Sequence, residues 1–522
     1  MTIITRKVIS GSIAGLAYRF KDDFASEGGV PTTPWYALEP NSYADYGGTV
    51  TTVARSPINR SRQRKKGAVT DFDASGGINH DWTQHQLTRV LQAFFYADIF
   101  EKPTTLAISS TGVPITGVTA ASGYAFDNDP SLGFLANNLV FAQGFNNPTN
   151  NGPRSVTSVS TGAVAVTPAA VDEPAPPAGA TLKAIGFQFP VGDVTLDAQA
   201  GQVIMTATAT NMTTLGLHPG EWVFLGGDTL ASQFAGNTPG YARVSVSTPI
   251  TSSQIVFDKT TWAPADAPGT GKTIQMFMGD FLRNMTEAEI EVAGDYERFI
   301  MDIERTLGRD ANGIQSQILE DCFANALTYT QPLSDKVTVD MTFVALNEYF
   351  RDGTDGLEPG VRVPGLGEAA FNTSTCLVRA RMSLLVPGTI NPTPLFAFVN
   401  AVELTIENNV TAVKAQGDIG GIDVVEGDFA VGGSATVYFS TVESVAAVRN
   451  YSDVTFDVIL AQRNAGYVFD LPLLGLGDGR LNVTKDEPIT VPLGLGAFEN
   501  AGGYTASYTN FAYLPNAAMP IV

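Results

Sequence analysis

The first places where this sequence could do chemistry are pairs of carboxylates beside glycine, proline or asparagine. Asp22 with Asp23, Asp127 with Asp129, and Asp352 with Asp355 offer hard oxygen donors of the kind that hold Ca²⁺. None has the ligand spacing of a dedicated calcium loop, so each reads as a solvated turn. Glu287, Glu289 and Glu291 read as surface residues. His80, His85 and His218 are too scattered for a metal cluster. Cys322 and Cys376 form no local pair and read as free buried thiols. The segment APADAPGTGKT, reaching Lys272, imitates a phosphate loop only at its end. That loop needs glycine six residues before the lysine, and Asp266 stands there. Ile274 onward reads as a strand, whereas a phosphate loop feeds a helix. No GxSxG, HExxH or dinucleotide fingerprint is present. No catalytic, metal or cofactor site is therefore expected, and the chain is not expected to be an enzyme.

Composition points to architecture instead. The chain has 522 residues, 44% hydrophobic and only 16% charged, against a usual charged share of about 25%. Glycine (52) and proline (30) are abundant, which suits many strands joined by tight turns and argues against a helical bundle. The net charge of -21 excludes a protein coated in positive charge for nucleic acid. It suits a surface that stays near DNA without holding it, because carboxylates repel phosphates. Met1 to Phe20 lacks the apolar stretch of a signal peptide. No run of apolar residues is long enough to span a membrane. A reduced-compartment, soluble or assembly-forming β protein is expected. One basic run stands out, with Arg60, Arg62, Arg64, Lys65 and Lys66 in SPINRSRQRKKG. It reads first as a contact with an acidic surface of a neighbouring copy and second as a solvated loop. DNA binding comes last, since no aromatics interleave it.

The elements that position these residues follow from periodicity. Ile13 to Phe20 reads as a first strand, and Asp22 to Gly48 as irregular chain lying across something larger. Val69, Phe72 and Ala74 suit a half-buried strand. A helix is predicted from Gln84 to Phe95, with Thr83 and Gln86 as a capping box and Leu87, Val90, Leu91, Phe94 and Phe95 on one apolar face. His85 and Arg89 fall on the other face. Thr286 with Glu289 caps a further short helix, and Thr441 to Val448 reads as another. Strands are expected at Phe299–Leu307, Val337–Phe343 with odd positions inward, Val378–Leu385, Val402–Ile406, Phe429–Phe439, Val454–Ala461 and Tyr467–Leu474. Ile314 to Thr330 fits either a helix or a strand. The tail from Leu481 carries Ile489, Val491, Tyr504 and Tyr508 at strand spacing.

Between Thr104 and Thr273 basic residues nearly vanish and a weak repeat emerges. Each copy has an aromatic strand (Leu139-Val140-Phe141; Trp222-Val223-Phe224), a glycine turn, and an arginine leading into an alternating Val/Ser strand (Arg154; Arg243). Pro174, Pro176 and Pro177 separate the copies. The expected organisation is a large β domain in two parts, 1–105 and 271–522. Two inserted β subdomains, 106–178 and 179–270, sit in one of its loops, where long insertions cost little closure entropy.

Two blocks then carry a family resemblance. GAVTDFDASGGINHDWTQHQLTRVLQAFF, Gly67 to Phe95, resembles the strand-to-helix unit of the major tail tube proteins of long, non-contractile-tailed (siphovirus-like) phages. TIENNVTAVKAQGDIGGIDVVEGDFAVGGSATVYF, Thr405 to Phe439, is similar to a later strand–loop–strand unit, with Gly427, Asp428, Val431, Gly433 and Phe439 on its pattern. ERTLGRD and KVTVDMTF fall between them in the expected order. The resemblance covers the chain outside the insertion, which looks like decoration added to the tube fold.

The resemblance implies a mainly β, sandwich or barrel fold with a flanking α-helix bracing the sheet. It implies homohexameric rings that stack head to tail around a β-barrel channel, in a tail tube assembled in the host cytoplasm. Six chains at -21 would bring -126 to each ring. The implied partners are other copies, the tape measure protein, the tail terminator and distal tail proteins, and viral DNA in transit without sequence-specific binding. Neither cofactor nor membrane insertion is implied. Two alternatives remain. One is a tail-tip or baseplate receptor-binding protein using Trp222, Tyr241 and Trp262 as carbohydrate platforms. The other is a capsid or capsid decoration protein.

Overall fold

Alternating apolar and polar residues, read through long antiparallel ladders, build the molecule. A computed structural model describes the chain except for residues 1–14, 22–32, 59, 61–62, 64, 107–114, 127–132, 178, 236–238, 310–312, 366, 387, 392–393, 397, 440 and 521–522. The described strands form a 16-stranded sheet, a 14-stranded sheet and a two-stranded hairpin.

The first sheet folds over on itself as a sandwich. Its first leaf runs, neighbour to neighbour, through Ser42–Arg55, Lys65–Asp81, Thr338–Arg351, Ile314–Gln331, Val399–Glu407 and Ala430–Tyr438. Thr490–Ala497 pairs with the last of these and with one end of Ala465–Asp478, turning the sheet over. The second leaf contains Leu377–Leu384, Val454–Gln462, Ala465–Asp478 and Ser507–Phe511. Among the described residues neither large sheet closes into a barrel within one chain.

The core lies between the leaves. Val339, Met341 and Phe343 point into it from the first leaf, as their alternation predicts, and Val458, Leu460 and Phe469 from the second. Helix α1, Thr88–Phe95, fills the space between them. Phe94 packs on Phe343 at 5.4 Å and Phe95 on Phe469 at 6.4 Å. Each such buried side chain contributes about 1.5–3 kcal/mol by leaving water. The predicted apolar face is right, but the helix starts at Thr88, later than Gln84, and no side chain caps it. Tertiary partners compete for the would-be capping turn. The Glu368 carboxylate takes the His85 backbone N–H (2.7 Å), and Gln86 donates to Glu39 (3.3 Å).

Other differences have similar causes. Part of the stretch expected to be irregular is extended, as Trp35–Leu38 and the start of Ser42–Arg55, because neighbouring strands supply its ladder partners. Ile314–Gln331 is a strand, paired on both sides despite helix-compatible spacing. Helix α2, Glu287–Ala293, carries the predicted capping box, with Thr286 accepting from the Glu289 N–H and Glu289 accepting from the Thr286 N–H. Helix α3, Val442–Arg449, is capped by Thr441. Gly433 sits at φ 136° where a Cβ would fall 2.0 Å from the Glu403 carbonyl oxygen, so only glycine fits without moving the ladder.

The second sheet takes its strands from Thr104–Leu106 through Gln275–Met278. It holds one apolar cluster between Ile115 and Ala184 and another from Phe187 to Met278 joined by Ile390. Ile185, Trp222, Phe224 and Phe277 pack on Ile459, Val468 and Phe511 of the second leaf. Val454–Gln462 is thus buried on both faces, with Val458 and Leu460 toward the core and Ile459 and Ala461 toward the second sheet. The near-continuous apolar run VTFDVILA is what such a strand requires.

Candidate assembly and channel surfaces

The side of the first leaf away from the core carries small polar residues and carboxylates. The register sets Asp81 beside Thr338, Asn79 beside Asp340 and Gly77 beside Thr342. It continues from Thr330 and Thr328 to Glu403 and Thr405, and from Ala326 to Glu407. Asp340, Thr342, Glu403 and Glu407 are exposed. Asn79 donates to Asp340 at 2.8 Å. Lys336 pairs with Asp81 at 2.7 Å. Burial pushes the Asp81 carboxyl up, but Lys336 and the Asn41 amide outweigh it and leave it below its ordinary value. The face is therefore a broad Thr- and carboxylate-rich surface. Alternation made its polarity legible, but which strands lie side by side was not.

On the opposite side of the sandwich, the seam with the second sheet is built from charge. Arg243 donates to Asp258 (2.7 Å) and Asp470 (2.8 Å). Lys259 meets Asp457 at 2.6 Å and Asp470 at 3.6 Å, and Arg379 meets Asp457 at 2.6 Å. Asp457 and Asp470 are fully buried. Burial lowers the Lys259 ammonium below its ordinary value despite both aspartates. Burial also pushes the Asp457 carboxyl up, but Lys259 and Arg379 overcome it and hold it low. In the sequence Arg243 stands out only as a repeat position; Asp258 follows it by 15 residues on the next strand of the second sheet, but Asp470 is 227 residues away, and no local pattern joins the three.

The two crossings between the sheets also bind each other. Phe100 and Phe281 exchange backbone hydrogen bonds, and the Lys102 N–H donates to Asp280 at 2.8 Å. Lys102 pairs with the buried Glu221 at 2.9 Å. His218 stacks on Phe100 at 3.9 Å, and burial, with Lys102 and Arg283 nearby, lowers its imidazole to about 4.

The residues singled out for chemistry are scattered in the fold. His80 accepts from the Glu39 N–H, and His85 is half-buried against Glu368 at 2.6 Å. Cys322 and Cys376 are buried free thiols. Asp352 and Asp355 are exposed in a turn, while Asp22, Asp23, Asp127 and Asp129 lie outside the described residues. Glu289 does more than cover surface: two hydrogen bonds from Arg283, each 2.7 Å, lower its carboxyl to about 2. Glu287 and Glu291 line a cleft of about 500 Å³ with Glu499. Lys272 donates to the Leu230 carbonyl, and a strand, not a helix, follows it. Trp222 and Tyr241 are buried, and Trp262 packs partly buried on the second sheet's core. Of the basic run, Arg60 and Lys65 are exposed at a hairpin end, and Arg62 and Arg64 lie outside the described residues. Among the described residues no group of three or more His, Cys, Asp or Glu could hold a metal ion. None of their helices is long and apolar enough to cross a membrane.

The model of the phage tail tube protein family matches residues 11–497. No curated protein matches the chain.

Proposed function

The chain belongs to the phage tail tube protein family, and we propose that its copies form stacked homohexameric rings whose first leaves join into one β-barrel channel. The protein is structural and has no catalytic role, as a component of a phage tail. In the proposed tube the exposed face bearing Asp340, Glu403 and Glu407 lines the channel. The observation that carries this reading is that face, continuous across the first leaf and rich in carboxylates. A DNA backbone carries a charge about every 1.7 Å, so carboxylates repel it and let it pass. The channel houses the tape measure protein before ejection and conducts the genome during it. Terminator and distal tail proteins close the ends, and assembly takes place in the host cytoplasm of a siphovirus-like phage.

The tube domain comprises 1–105 and 271–522, and the inserted subdomains 106–178 and 179–270 form the layer farthest from the channel. Separate apolar clusters in the second sheet, and its place behind the second leaf, support that division. The burial of Trp222 and Tyr241 counts against their use as carbohydrate platforms in a tail-tip receptor-binding protein.

Electron microscopy of the purified protein, and of the particles that contain it, tests the reading. Hollow rods with a regular axial repeat and a six-fold end view are expected. Confinement to a tail tip or capsid would overturn it.

A further inference from the structure

Among the described residues two lysines are buried, Lys102 and Lys259, and both lie against carboxylates. Their surroundings differ. At Lys259 a second cation, Arg379, also contacts Asp457, and the two together keep that carboxyl ionised. An ionised carboxylate resists attack by a nucleophile. Glu221 is fully buried, and among the described residues Lys102 is the one cation paired with it. Burial pushes the Glu221 carboxyl up, the charge of Asp280 adds to this, and Lys102 does not reverse it.

The geometry at this pair is that of attack as much as of attraction. Lys102 Nζ lies 2.9 Å from Oε1 and 3.0 Å from Oε2 of Glu221. It therefore faces the carbon between them, within the roughly 3–3.5 Å at which reacting groups align. The neighbouring polar groups suit the product too. The His218 backbone N–H donates to Oε2 at 3.0 Å, and Nζ donates to the Gly216 carbonyl at 2.6 Å. Among the described residues nothing gives Oε1 a well-directed hydrogen bond. An amide formed here keeps Oε2 as its carbonyl oxygen and its N–H on Gly216, and it loses the oxygen held least. It also replaces two buried charges by a neutral group, which removes their desolvation cost.

We propose that Lys102 and Glu221 condense into an intramolecular isopeptide bond, a self-made covalent link from the crossing at Phe100–Lys102 to the start of the strand Trp222–Leu225. The ammonium gives one proton to the carboxylate, leaving a neutral amine and a neutral carboxyl. The amine's lone pair bonds to Cδ, the Cδ–Oε1 bond breaks, and a second Nζ proton leaves with the hydroxyl as water. No oxidant or co-reactant is consumed. Burial of both side chains keeps bulk water from the bond. The link makes the tie covalent where the second sheet joins the first, however the copies assemble.

Mass spectrometry of the full-length chain, held folded at neutral pH until its mass is constant and then denatured, tests this. A mass below that of the sequence by one water is expected, with a branched tryptic peptide joining the Lys102 and Glu221 segments. A sample kept unfolded in guanidinium throughout should retain the full mass, because only folding brings the two groups together. Lys102→Arg keeps the cation but not the primary amine, and should restore the full mass. The full sequence mass in the folded chain, with linear peptides at both positions, would overturn the bond. So would a water loss that maps to other residues or persists in Lys102→Arg.

Discussion

Replacing Asp457 by asparagine isolates the charge at the seam while keeping the side chain's shape. Asp457 is fully buried, with Lys259 and Arg379 both at 2.6 Å. At an effective dielectric near 20, each attraction at that distance amounts to about 6 kcal/mol before desolvation. Desolvation cancels much of this, and truncating one member of a buried ion network costs about 3–5 kcal/mol because its partners stay buried. The variant leaves Lys259 with Asp470 at 3.6 Å and removes the carboxylate facing Arg379. Over 522 residues, at about 2.1 cal/mol/K each, the unfolding entropy is ~1.1 kcal/mol/K, so the midpoint should drop by ~3–5 °C. Differential scanning calorimetry reads this, with Glu403→Gln on the exposed face as the control, expected within about 0.5 kcal/mol of the parent. Replacing Asp457, Lys259 and Arg379 together by apolar residues of similar size should recover most of the loss. An Asp457→Asn midpoint equal to that of Glu403→Gln would refute the seam as a buried ion network.

Four further outcomes follow from the same geometry. Gly433→Ala forces a Cβ against the Glu403 carbonyl at positive φ and should cost more than about 3 kcal/mol, read as a lower unfolding midpoint. His218 is neutral in the fold down to about 4, while the unfolded chain protonates it near 6.5. Its contribution is therefore complete above pH 6.5 and lost as pH falls toward 4, and His218→Phe should flatten that part of the stability–pH curve. Glu289, lowered to about 2 chiefly by hydrogen bonds from Arg283, contributes above pH 4.5 and loses that contribution between 4.5 and 2; Glu289→Gln should remove this arm of the curve. Asp340→Lys with Glu403→Lys and Glu407→Lys should leave the fold intact but make the protein retain DNA in a gel-shift assay, more weakly as salt rises.

Much of the sandwich was legible because side-chain alternation is written into neighbouring residues. The odd positions of Val337–Phe343, the doubly buried run VTFDVILA and the Thr286–Glu289 cap each depend on contacts within a few residues, and each takes the form its pattern requires. The Thr83–Gln86 cap failed for the complementary reason: Glu368 and Glu39, distant in the chain, claim the turn's donors. Ile314–Gln331 likewise became a strand because ladder partners on both sides outweigh its helix-compatible spacing.

Composition and short-range periodicity are properties of the chain alone, and they suffice to specify a weakly charged, acidic β protein that carries the motifs of its family. That Glu403, Asp340 and Asp81 share one face, and that Arg243, Lys259 and Asp457 share one seam, follows from the fold and not from any local pattern. Those groupings depend on which strands pair, and pairing is set by the simultaneous burial of residues hundreds of positions apart, which no local pattern encodes.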